Sequence, residues 1–131
     1  MGTLDLYDSL ACSLANAGSC VVVSVDYRMA PEHRFPAAAE DSHSAAVYVS
    51  ENAESLGVDP ARIFVGGDSA GGNLAAVVSL MARDGSSVKL AGQVLVYPIA
   101  DCDFETASYQ ENAEGFFLTR ASMKWFWDQY V

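Results

Sequence analysis

Ser69 lies at the centre of the run Gly67-Asp68-Ser69-Ala70-Gly71, behind the apolar residues Ile63, Phe64 and Val65 and ahead of the helix-favouring run Asn73-Leu74-Ala75-Ala76. A serine on a tight turn between a strand and a helix can act as a nucleophile, because the strained turn thrusts its hydroxyl above the sheet. The chain two residues before and two residues after must then come very close, so Gly67 and Gly71 are expected as small residues at those positions. Gly72 adds room for the helix to approach the strand, and Asp68 completes the turn. The start of the following helix presents unpaired N–H groups and a positive dipole end to a developing oxyanion. The Ala70 N–H is the expected first donor. Ser69 itself is expected at positive φ, an uncommon state for a residue other than glycine.

Rival readings of the glycines fail on register. A dinucleotide fingerprint needs glycines at i, i+2 and i+5. From Gly66 the second position is Asp68, and from Gly67 it is Ser69. A phosphate-binding loop needs lysine after its last glycine, and Gly72 stands there. A serine nucleophile needs a base, and the only histidines, His33 and His43, both precede Ser69. His43 reads as a surface or packing residue on a helix. Asp101 follows a strand and is an acid by position.

The 131 residues fit one domain, and 51% hydrophobic residues can bury a core. A formal net charge of -10 with seven Lys and Arg argues against nucleic acid and anionic membrane surfaces. Cys12, Cys20 and Cys102 are an odd set without a CxxC pair, which speaks against a disulfide framework or a zinc site. Free thiols in a reducing, cytoplasmic compartment are the expectation. No apolar run reaches the ~20 residues that span a bilayer, and the N-terminal residues carry no basic region of a signal peptide.

Around the serine the sequence alternates helix and strand. Leu6, Leu10, Leu14 and Ala17 recur at helical spacing, with Gly18 as a left-handed stop. Residues 20–25, CVVVSV, read as a strand buried on both faces. Pro31 and Pro36 hold an irregular loop. A helix follows from about Pro36 to Leu56, with Gly57 as its stop. Residues 62–66 form the second strand. The helix after Ser69 carries Leu74, Val77, Val78 and Met81 and ends at Asp84-Gly85. Residues 92–98 form the third strand, and residues 102–118 are a polar and aromatic excursion. Thr119 caps a last helix whose Met123, Phe126, Trp127 and Tyr130 make one core-facing stripe. This order predicts an α/β protein with parallel strands alternating with helices.

GDSAGGNLA (67–75) resembles the serine motif of the hormone-sensitive-lipase-like esterases, a family of α/β-hydrolases. DYRMAPEHRFPAAAED (26–41) and YPIAD (97–101) resemble two further hallmarks of that family, and the likeness runs over the whole chain in order. Gly66 departs from it, since the family usually has Ala or Ser there. The resemblance implies an incomplete α/β-hydrolase fold with three recognised strands, and residues 1–131 as the central part of a single domain. It implies hydrolysis of small-molecule carboxylic esters with short to medium acyl chains, without metal or organic cofactor. Ser69 is then the nucleophile. His33 is structural, and Asp101 precedes the strand after which the family places its acid. The triad order is serine, acid, histidine, so the acid and the base are expected in a C-terminal region that the chain lacks. The family's HGGG oxyanion loop and its N-terminal cap belong just before Met1, which makes Met1 an internal methionine. The strand before HGGG belongs between residues 20–25 and the second strand. Those two strands are therefore expected to share no ladder, whereas residues 94–97 pair with residues 63–65. As a central slice, the chain is expected to show little activity. Two other readings are a non-catalytic small-ligand receptor of the same fold, as the plant gibberellin receptors are, and a decayed gene product. The sequence leaves the oligomeric state open.

Overall fold

The computed structural model describes residues 2–85 and 88–131. The reading of Met1 as an internal methionine lies outside the described residues.

Helix α1 spans Leu4–Gly18. Thr3 caps it, its hydroxyl accepting the Leu6 N–H at 3.4 Å. Gly18 is not the left-handed stop. Ser19 takes that conformation, at φ 48°. The cause is the closing bond from the Cys20 N–H to the Ala15 carbonyl, which requires the residue just before Cys20 to turn left-handed. Leu6, Leu10 and Leu14 lie on the helix at the expected spacing, yet all three are exposed.

Residues 20–25 are the largest departure from expectation. They form no strand and share no ladder with any other segment among the described residues. Val21, Val22 and Val23 are exposed rather than buried on two faces. The expected lack of hydrogen bonding to the next strand does hold.

Residues 26–36 form a loop with cis peptide bonds before Pro31 and Pro36. Its start is tied to the helix that follows by a fork. The Arg28 guanidinium donates to both carboxylate oxygens of Asp41, at 2.9 and 2.8 Å, and the Arg28 backbone N–H adds a third bond at 2.9 Å. Helix α2 (Ala37–Glu51) follows Pro36 as expected, but the helix breaks at Asn52 and resumes as the single turn α3 (Ala53–Leu56). Gly57 ends it at φ 67°. Asp59 caps a short 3-10 turn at Pro60–Arg62, which leads into strand β1 (Phe64–Asp68).

Helix α4 (Ala70–Gly85) crosses over to strand β2 (Gly92–Val96). The strands pair in parallel, from Phe64 opposite Gly92 to Asp68 opposite Val96. Among the described residues the sheet thus holds two strands, not three. Leu74, Ala75, Val78 and Ala82 bury one face of α4. Two clusters make the core between α2, α4 and the sheet: Ala46, Val78, Ala82 and Val88 in one, and Ala38, Ala39 and Leu74 in the other.

Helix α5 (Ala107–Glu111) interrupts the polar excursion. Thr119 caps α6 (Arg120–Tyr130) through a reciprocal box: the Ser122 N–H donates to the Thr119 hydroxyl at 3.1 Å, and the Thr119 N–H to the Ser122 hydroxyl at 2.9 Å. Met123 is buried and Phe126, Trp127 and Tyr130 are partly buried, as the stripe predicts. The end of α6 docks on the 26–36 loop, where the Tyr130 carbonyl accepts the Phe35 N–H at 2.7 Å. Among the described residues no helix is long and apolar enough to cross a membrane.

Candidate active site

Ser69 is the single residue between the end of β1 and the start of α4, and its φ is 53°. That left-handed state costs a non-glycine residue about 1–2 kcal/mol, so neighbouring bonds must hold it. The Ser69 N–H donates to the Val96 carbonyl at 3.0 Å, continuing the β1–β2 ladder one residue past the strand. The Ser69 carbonyl accepts the Asn73 N–H at 3.1 Å and the Ile99 N–H at 3.4 Å. The Asn73 side chain then donates to the Ile99 carbonyl at 2.7 Å, tying α4 to the segment after β2.

The glycines divide in their roles. A Cβ on Gly67 would stand 2.4 Å from the Gly71 carbonyl carbon, so no other residue fits there without backbone movement. A Cβ on Gly72 would stand 3.1 Å from both Pro98 Cα and the Gly67 carbonyl oxygen, which matches its expected place in helix–strand approach. Gly71 differs from expectation. A Cβ there would meet nothing within 4 Å, because the close approach is made by its backbone and not on its side-chain side. Ala70 is the first residue of α4, so its N–H lies outside the intrahelical ladder.

Asp68 does more than complete the turn. Its carboxylate accepts the Tyr7 hydroxyl at 3.0 Å across 61 residues of sequence. This bond, with some burial, pushes the Tyr7 phenol above its ordinary value. Burial foremost, and then the Asp68 charge, does the same to Tyr27. Tyr7 and Asn73 were not singled out from the sequence. Asn73 stands inside the GDSAGGNLA motif, where a signal existed. Tyr7 had none.

His33 lies exposed in the loop, its backbone N–H bonded to the Met29 carbonyl at 2.9 Å. His43 is partly buried on α2. Asp101 is exposed and accepts the N–H of its own neighbour Cys102 at 2.7 Å, a local turn.

Residues 1–131 match the family described as alpha/beta hydrolase fold. The chain belongs to that family. Among its relatives in the α/β-hydrolase family is the carboxylesterase NlhH of Mycobacterium tuberculosis, 46% identical over 131 residues, which cover 100% of this chain and 41% of the relative. The ethyl acetate hydrolase of Pseudomonas putida is 37% identical, over 100% of this chain and 42% of that protein. The solved hyperthermophilic esterase from the archaeon Pyrobaculum calidifontis superposes with a TM-score of 0.93 at 46% identity, covering 100% of this chain and 43% of the esterase. The chain therefore spans about two-fifths of the length of these α/β-hydrolase relatives. Its two parallel strands with flanking helices are the matching part of their fold.

Proposed function

We propose that the whole protein hydrolyses carboxylic esters of short to medium acyl chain, with Ser69 as nucleophile. The observation that carries this reading is the positive φ of Ser69 at a strand-to-helix turn that Gly67 closes against Gly71. The Ser69 hydroxyl attacks the ester carbonyl carbon and gives its proton to a histidine base. The Ala70 N–H, at the positive end of α4, stabilises the oxyanion. The oxyanion collapses, the C–O bond to the alcohol breaks, and the base returns the proton to the departing alkoxide. Water then repeats the attack on the acyl-enzyme and restores Ser69. The names of the relatives, a carboxylesterase and an ethyl acetate hydrolase, support a small-molecule ester as substrate.

Neither His33 nor His43 is proposed as the base. The first lies exposed in the 26–36 loop, and the second sits on α2. Residues 1–131 by themselves are therefore catalytically incomplete in this proposal. The free cysteines Cys12, Cys20 and Cys102 fit a reducing, cytoplasmic setting.

The test is kcat/KM of the whole protein for p-nitrophenyl butyrate. Ser69→Ala is expected to lower it by at least about 10⁴-fold. Retained turnover in Ser69→Ala would sink the proposal.

A further inference from the structure

Helix α1 buries none of its residues, and its leucines face outward. The helix and its caps are held by local hydrogen bonds, and the Tyr7 hydroxyl reaches out of the helix to Asp68. The partner in that bond is the residue immediately before Ser69. The Tyr7 ring lies close to Gly2, where a Cβ would stand 2.8 Å from ring Cε2.

We infer that Tyr7 is a positioning residue for the nucleophile. Its phenol holds the Asp68 carboxylate, and through it the peptide that fixes Ser69, while docking α1 beside the turn. The phenol O–H dipole points at the carboxylate beside the nucleophile, so that negative charge opposes the developing oxyanion less. The same hydrogen bond raises the Tyr7 phenol, and the Asp68 charge, after burial, raises that of Tyr27.

The inference rests on Ser69 as nucleophile, and the experiment separates the two. In the whole protein, kcat and KM are measured for wild type, Tyr7→Phe, Asp68→Ala and the double variant, with Ser69→Ala beside them. Tyr7→Phe is expected to lower kcat about fivefold to tenfold, the effect of one net hydrogen bond, and to leave KM unchanged. The double variant is expected to be no slower than the slower single one, since both act through one contact. Wild-type kcat in Tyr7→Phe, or multiplicative losses in the double variant, overturns the inference and leaves the Ser69 reading standing. Full activity in Ser69→Ala overturns both. A second measurement does not depend on activity: NMR titration of ¹³Cζ-labelled tyrosine. The Tyr7 midpoint is expected above the ordinary value of about 10 and is expected to fall in Asp68→Asn. An ordinary midpoint in the wild type overturns the inference by removing the bond itself.

Discussion

Ser69, Gly67 and Gly72 were legible from sequence because a steric rule fixes them: a left-handed serine at a strand-to-helix turn leaves no room for a Cβ at Gly67. The Tyr7–Asp68 bond was not legible, because nothing local in the sequence joins residues 61 positions apart. The Arg28–Asp41 fork lay inside a recognised motif, but only coordinates show that the motif is closed by that pair. The fork carries a prediction about pH. The Arg28 guanidinium and N–H hold the Asp41 carboxyl down to about 2, from an ordinary 3.8. A carboxyl depressed on folding stabilises the folded state above its ordinary value, and that contribution fades as pH falls from about 4 through about 2. Asp41 is partly exposed, so the effect is modest. Urea denaturation of the whole protein at stepped pH is expected to show a shallower acid decline in Asp41→Asn than in wild type. Equal slopes in the two proteins would count against the fork.

Helices were read well because their signals are local. The period of Leu74, Val77, Val78 and Met81 and the cap at Thr119 each sit within the element they define. The break at Asn52 went unread, since the apolar period runs across it. Residues 20–25 show the opposite limit. A β-branched run states that a strand is possible, but a strand exists only when a neighbour supplies its hydrogen bonds. The α6 cap carries the prediction at this scale. Thr119→Ala removes one side of the capping box and is expected to lower stability by about 1 kcal/mol. Hydrogen exchange should show faster exchange in the first turn of α6, with α4 amides unaffected. An unchanged first turn would mean that the box does not hold the helix end.

The described molecule exposes 8796 Å² for a 13.9 kDa chain, where a compact monomer of that mass exposes roughly 6,700 Å². Composition promised a core, yet the buried apolar residues are mostly alanines. Phe64, Val94, Phe117 and Trp125 remain open to solvent. Sequence gives the amount of apolar material but not what covers it. Residues 1–131 expressed alone are therefore expected to bind ANS strongly and to melt without a cooperative transition. A sharp melt with no dye binding would show that this surface is tolerated in an independently folded unit. Covalent trapping shows whether Ser69 is the nucleophile. The whole protein is treated with an alkyl fluorophosphonate, digested and mapped by mass spectrometry. One phosphonyl adduct is expected, on the peptide containing Ser69, with loss of ester hydrolysis in proportion to labelling. Inactivation with the adduct on another residue and Ser69 unmodified would contradict it.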